Sequence, residues 1–357
     1  MSIQSELEFD AHLTEEAQQQ VGGQVQGRTQ WQLTWRRLRS DRVSMIALAV
    51  IVIMVLLAIL APAVAGLTHH SVNMAYPVQG ENEDGNPVGP GVNGFILGTD
   101  STGRDLLVRV LYGARISLFV GIFTTLIATV LGVSIGLIAG YFGGVIDTLL
   151  ARFTDAVLAF PYIVLALALA AVYGPSLTII VVMITFFSWA GIARIVRGQT
   201  LSIKEKEYVE AARSLGAGPF RIMFFDILPN LLAPVLVIAT LYIPNAVVFE
   251  ATLSYLGLGV QAPTPSWGNM LSDAQNFYQV AWWYLVFPAA ALLITTLAFN
   301  LLGDGIRDAM DPRTEKLIAA RRLRRRLTRR TINKGNKEAL GGVVAGGTAA
   351  DESGKRG

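Results

Sequence analysis

The sequence predicts an all-α integral membrane protein with six transmembrane helices, and three observations carry that reading. Apolar residues make up 52% of the chain and charged residues only 15%, whereas a soluble chain carries about 25% charged residues. The apolar residues are concentrated in runs long enough to cross a bilayer, which takes about 20 in succession. Lys and Arg gather on alternate connections between those runs, which fixes an orientation. There is no Cys, so disulfides, thiolate metal sites and thiol redox chemistry are excluded.

Residues 1–42 are polar, rich in Gln, Glu and Gly, and lack apolar periodicity, so they read as a largely mobile cytoplasmic tail. Trp31 and Trp35 are placed at head-group level. The first span is predicted over 43–66. Arg36, Arg37, Arg39 and Arg42 precede it, and Ala63-Val64-Ala65 mimics a signal cleavage site. The apolar run is longer than the roughly 7–15 residues of a signal core and starts far from the N-terminus, so it is read as a retained span. Residues 67–115 form a hydrophilic extracytoplasmic loop rich in Gly, Pro and Asn.

The core, residues 116–312, holds the other five helices. The second span, 116–140, carries Gly132, Gly136 and Gly140 four apart, which lines one face with small residues for close helix packing. A turn at Tyr141–Gly144 leads into the third span, 145–173, which Pro161 is expected to kink. Asp147 and Asp155 lie within one or two turns of Arg152, and pairing along the helix surface is preferred over a proton relay. Gly174-Pro175 turns the chain into the fourth span, 177–193. A polar connection over 194–230 precedes the fifth span, 231–249, which contains Pro234 and Pro244. The sixth, 282–302, opens on Trp282, Trp283 and Tyr284, an aromatic anchor at the outer interface.

Six spans put both termini on one side. With that side cytoplasmic, inner segments hold 25 Lys and Arg and outer segments 3, so the positive-inside rule makes both termini and the 194–230 loop cytoplasmic. Residues 313–357 form a basic tail. Its stretch Thr314–Arg330 intersperses Leu317, Ile318, Leu323 and Leu327 among cations, which suits anionic lipid head groups better than nucleic acid. The remainder, rich in Gly and Ala, reads as disordered.

No stretch matches GxxxxGK[ST], so nothing here cradles nucleotide phosphates. His69 and His70 in the outer loop and His12 in the tail have no partner at metal-ligand spacing and read as solvated. No nucleophile–base arrangement is present, and the ionisable residues in the spans form no regular series for a proton or sodium path. Uphill transport would therefore draw its energy from another subunit.

The 194–230 loop contains EAARSLGAGPFRIMFFDILP, from Glu210 to Pro229. Tyr208, Val209, Ala212 and Leu215 recur at helical spacing. Gly216 and Gly218 can supply the left-handed angles that end a helix, Pro219 suits the start of a second short helix, and Pro229 is expected to limit it. An ordinary helical linker is the plain reading. The spacing Glu-Ala-Ala, three residues, Gly, eleven residues, Leu-Pro resembles the EAA loop of ABC-importer permease subunits, with Asp226 where that pattern usually has Ile. Three further stretches resemble the C-type permease subunit of dipeptide and oligopeptide importers: GTDSTGRD from Gly98 to Asp105, EATLSYLGLGVQAPTPSWG from Glu250 to Gly268, and GDGIRDAMDPR from Gly303 to Arg313. The likeness covers residues 30–315 and leaves out both tails.

This resemblance implies a type I ABC importer permease fold in the plasma membrane of a prokaryote. It implies as partners a B-type permease subunit, two ABC ATPase subunits, an extracytoplasmic solute-binding protein and a peptide substrate. It implies no cofactor on this chain, ATP and Mg being held by the ATPases, and no catalysis of its own. On the positions that match, Glu210, Ala211, Ala212, Leu215, Gly216 and Pro229 would form the ATPase-coupling loop. Glu250, Pro263, Pro265 and Trp267 would shape the outer mouth, or serve as a stable interfacial cap. Nickel and glutathione-like solutes are alternatives within the family. The rival class is a stand-alone secondary transporter or channel; a receptor or scaffold would need a sizeable soluble domain.

Overall fold

A computed structural model describes residues 30–310, and the chain there is helical with no named strand. The predictions for residues 1–29, Trp31's side chain and the basic tail lie outside the described part. Five helices are long and apolar enough to cross a membrane, and a pair bent by 76° brings the number to six when it is counted as one span. Their outward surfaces are apolar: the apolar window of the first span is only 22% buried, and Ile46, Ile53, Leu56, Ile59 and Leu60 lie bare on it. Such a surface needs lipid or protein against it.

The first departure comes at the start. Residues of the expected tail form helix α1 (Gln30–Ser40), which packs Leu38 against the last helix and donates from Arg37 Nη1 to Ala309 O at 3.2 Å. The chain breaks at Asp41, whose carboxylate caps α2 (Arg42–Thr68) by accepting from Val43 and Ser44 N–H. The Ser44 hydroxyl bonds the same group, and these hydrogen bonds hold the Asp41 carboxyl below its usual range. Buried Ala47, Ala58 and Ala61 give α2 a narrow face against the core.

Residues 69–105 include the single turn α3 (Pro77–Gly80) and are pinned without strands. Thr99 Oγ1 donates to Gly80 O at 2.6 Å and accepts from Val88 N–H at 3.0 Å. His70 is not solvated as expected: its ring stacks on fully buried Phe95 and its Nδ1 lies 2.6 Å from Asp105 Oδ2. Asp105 also caps α4 (Leu106–Phe142), so that helix starts ten residues before the predicted span.

Helix α4 packs along α7 (Leu177–Ile203), and the small-residue face is why. A Cβ on Gly132 would stand 2.7 Å from Ile192 Cβ, one on Gly136 2.6 Å from Ala193 O, and one on Gly140 2.6 Å from Thr200 Cβ. Backbones this close leave no room for a side chain. Gly136→Ile is expected to destabilise the subunit by about 1–3 kcal/mol through overpacking, measured as a lower denaturation midpoint in mild detergent.

Pro161 breaks the third span rather than kinking it. Helices α5 (Gly144–Ala159) and α6 (Tyr162–Tyr173) meet at 76°. Proline lacks the N–H and pushes the preceding residue out of helical space, and Phe160 is extended at φ −73°, ψ 132°. The expected pairing with Arg152 also fails. Asp147 takes both Nε and Nη2 of Arg197 on α7, and Asp155 takes Arg194 Nη2 at 2.7 Å. Each carboxylate thus bridges two helices instead of one turn of its own.

Beyond α7 come α8 (Glu207–Ser214), a single turn α9 (Pro219–Arg221), and a π-helical stretch Ile222–Ile227 that feeds into α10 (Leu228–Tyr255). Then α11 (Trp267–Ala274) lies across the far end of the bundle, and α12 (Trp282–Met310) returns to α1. The bundle therefore has a knob end, residues 204–221, and a cap end built from 69–105 and 256–281.

Candidate coupling knob and outer cap

At the knob end, α8 is short and its two faces differ. Val209 is fully buried, while Glu210, Ala211, Leu215 and Gly216 are exposed and Ala212 is half-buried. Gly216 has φ +82°, with Gly216 N–H on Arg213 O and Ala217 N–H on Ala212 O, both 3.0 Å. That is the paired hydrogen-bond pattern of a glycine-ended helix. Gly218, by contrast, has φ −71° and serves as the extended residue before Pro219, so only one of the two predicted glycines is left-handed.

The second arm of the knob is not limited by Pro229. Residues 219–255 run as one helical span, and Pro229 lies inside it, directly after the π-helical stretch Ile222–Ile227. The wider π turn just before it, closed by Leu228 N–H on Met223 O, absorbs the change of register. Ile222, Met223 and Ile227 are buried with Val209, Trp189 and Val196 in one core cluster. The knob is thereby anchored to α7 and α10, leaving Leu215, at 89% exposure, and Phe220, at 73%, outside. Six predicted residues thus share this loop, five around the exposed turn and Pro229 one helical arm away.

At the cap end, the four residues expected at an outer mouth or interfacial cap lie in and beside a packed junction. Glu250 and Trp267 are fully buried, Pro265 is buried, and only Pro263 is exposed. Trp267 Nε1 donates to Val110 O at 3.1 Å. Ser266 caps α11 with a reciprocal pair: Asn269 N–H donates to Ser266 Oγ, and Ser266 N–H to Asn269 Oδ1. Sequence reading missed the ion cluster beside this junction. Asp100 accepts from Arg104 Nε at 2.7 Å and lies 3.0 Å from Arg109 Nε, all three groups being nearly or fully buried. Arg109 Nη1 reaches Val72 O and Pro263 O, each at 3.3 Å, tying both cap loops to α4. The GTDSTGRD stretch was its signal, since it carries Asp100 and Arg104, but nothing local marks Arg109 as their partner.

Two family models match the chain. One, the binding-protein-dependent transport system inner membrane component, covers residues 132–316. The other, the N-terminal transmembrane domain of oligopeptide transport permease C, covers 29–80. The chain is 40% identical to the dipeptide transport system permease protein DppC of Alkalihalophilus pseudofirmus, over 79% of this chain and 90% of that one. It is 41% identical to the oligopeptide transport system permease protein OppC of Escherichia coli K12, over 81% and 93%. To the glutathione transport system permease protein GsiD of an Escherichia coli O6 strain it is 40% identical, over 81% and 92%. A solved structure of the MetNI methionine ABC transporter in an inward-facing conformation is similar at 21% identity and TM-score 0.47, covering 57% of this chain and 96% of that one. The first family model spans more than half of the chain, and the DppC and OppC relatives match over most of both lengths, so the chain belongs to the binding-protein-dependent transport system inner membrane component family, as a permease of the kind found in peptide importers.

Proposed function

We propose that this chain is the C-type permease subunit of an ATP-driven importer of dipeptides or oligopeptides. It forms half of the translocation path with a B-type permease, takes solute from an extracytoplasmic binding protein, and binds no ATP or Mg of its own. The observation that carries this is the knob: an exposed, glycine-ended turn presenting Glu210, Ala211, Leu215 and Gly216, anchored by buried Val209, Ile222 and Met223 to two spans. A surface loop with bare apolar residues on a rigid base suits a protein partner. The ATPases are that partner. The 25-to-3 split of Lys and Arg supports a cytoplasmic knob and cytoplasmic termini, in the plasma membrane of a prokaryote. Relatives named for dipeptides and oligopeptides favour peptide over glutathione as the solute.

The test is reconstitution in proteoliposomes. With the second permease, the ATPases, the binding protein and ATP, labelled trialanine should accumulate; with this chain alone it should not. Accumulation by the single subunit would point instead to a secondary transporter.

A further inference from the structure

The third span is broken inside the bundle. Tyr162, the first residue of α6, brings its ring to 4.0 Å from that of Phe249 on α10 and 6.3 Å from that of Phe187 on α7. Phe187 lies ten residues into α7 (Leu177–Ile203), so the break is about 15 Å in from the start of that helix. There the last carbonyls of α5 and the first N–H groups of α6 have no partner along their own helices, and Pro161 has no N–H to give. Ala159, Phe160 and Pro161 are nonetheless exposed. Non-helical backbone at membrane depth is tolerated where protein covers it or where it lines water, and no described residue covers it here.

The adjoining face of α10 is polar where other faces are not. Asn245, one turn before Phe249 and ten residues before the end of the helix at Tyr255, is exposed. Its Nδ2 donates to Leu241 O at 2.9 Å, while its Oδ1 has no partner among the described residues. Tyr242, one turn earlier, directs its hydroxyl at α7, where a Cβ on Gly191 would collide with it. Neither that hydroxyl nor Tyr162 Oη is hydrogen-bonded among the described residues. By contrast, α2 between Val43 and Leu60 and α4 between Phe119 and Leu131 expose only apolar side chains. A carboxamide is costly against lipid, so the face that holds Asn245 and the break differs in kind from those two.

We propose that this face, from the Phe160–Pro161 break across Tyr162 and Phe249 to Tyr242 and Asn245, lines a water-filled path and contacts the peptide in transit. The inference rests on the importer reading and adds the residues that meet the solute. Their chemistry suits a peptide main chain: two hydroxyls and a carboxamide exchange hydrogen bonds with amide groups. The rings of Tyr162 and Phe249 offer apolar surface beside them. None of these side chains is charged, so the surface holds amides without gripping either terminus, which suits passage of peptides of differing sequence.

The test uses the complete importer in proteoliposomes, with single Cys residues in a chain that has none of its own. A methanethiosulfonate bearing a trimethylammonium group is added with and without a non-hydrolysable ATP analogue. Asn245→Cys and Phe160→Cys should react at least about tenfold faster than Leu126→Cys on the apolar face of α4, because the charged reagent reaches thiols only through water. Labelled trialanine, supplied with the binding protein, should slow the reaction at Asn245→Cys. Phe160→Cys, at a bare position between helices, covers the case in which a change at Asn245 disturbs folding. Rates no faster than at Leu126→Cys in both nucleotide states, whether lipid or the second permease covers the face, overturn the proposal. A reaction that peptide does not slow refutes the contact with solute. In uptake, Asn245→Leu should be about five- to tenfold slower than wild type with the ATPases still bound, the loss of one hydrogen bond. Asn245→Gln, which keeps the carboxamide, should recover most of that rate, and full uptake by Asn245→Leu also removes the contact. No uptake of any peptide by the wild-type complex counts against the importer reading instead, and the labelling rates still decide whether this face meets water.

Discussion

Gly216→Pro is expected to reduce ATP-driven uptake by about tenfold or more while the subunit still inserts and folds. Gly216 holds φ +82° and donates its N–H to Arg213 O; proline can do neither, so the turn between α8 and α9 must open. The damage stays local, because no atom lies within 4 Å of a Cβ at that site. Glu210→Lys tests the proposed docking surface separately from the turn. Glu210 lies exposed in the first turn of α8, where a cation disfavours the helix by only about 0.3–1 kcal/mol. That is too little to unfold the knob, so lost uptake would report a lost partner contact. Co-purification of the ATPases with each variant, set against uptake, is the measurement; normal ATPase retention and uptake in both would remove the coupling assignment.

The second large effect is expected at the cap. Asp100→Asn should lower the stability of the subunit by about 3–5 kcal/mol, since it leaves buried Arg109 and Arg104 without their counter-charge. Asp100 also accepts from the N–H groups of Thr102 and Arg104, so the amide would turn an acceptor-only group into one with competing donors. Arg109→Met should cost less, because Arg104 still pairs with Asp100. In the double variant the losses should fall short of their sum by about 0.5–3 kcal/mol, as for any directly coupled pair. Denaturant titration of the four proteins in mild detergent gives the comparison, and strict additivity would show that the two residues act separately.

These two sites differ in how much of them could be read from the chain. The knob is local in sequence: Glu210, the left-handed Gly216 and Pro219 fall within ten residues, and the backbone preferences of Gly and Pro act over that range. Even there two readings failed, for Gly218 and for Pro229, since helix continuation past Pro229 depends on a π turn packed through Ile222, Met223 and Ile227. The ion pairs were harder. Asp147 and Asp155 had a cation nearby in sequence, Arg152, yet both bond to α7 across 50 and 39 residues. Sequence spacing sets which partners are reachable along one helix, and it is silent about a neighbouring helix that the glycine face of α4 brings close.

What the sequence by itself determined was the medium: apolar segments long enough to cross a bilayer, their order, and a compact glycine-ended turn among basic residues. Those follow from solvation and from single-residue backbone limits, which act on short stretches. What only the tertiary structure decided was which polar groups meet. Glu250 with Ser117, and Asp100 with Arg109, join separate helices and loops. Such pairings depend on helix rotation and depth, and those are set by packing surfaces hundreds of atoms wide, not by any one stretch of chain.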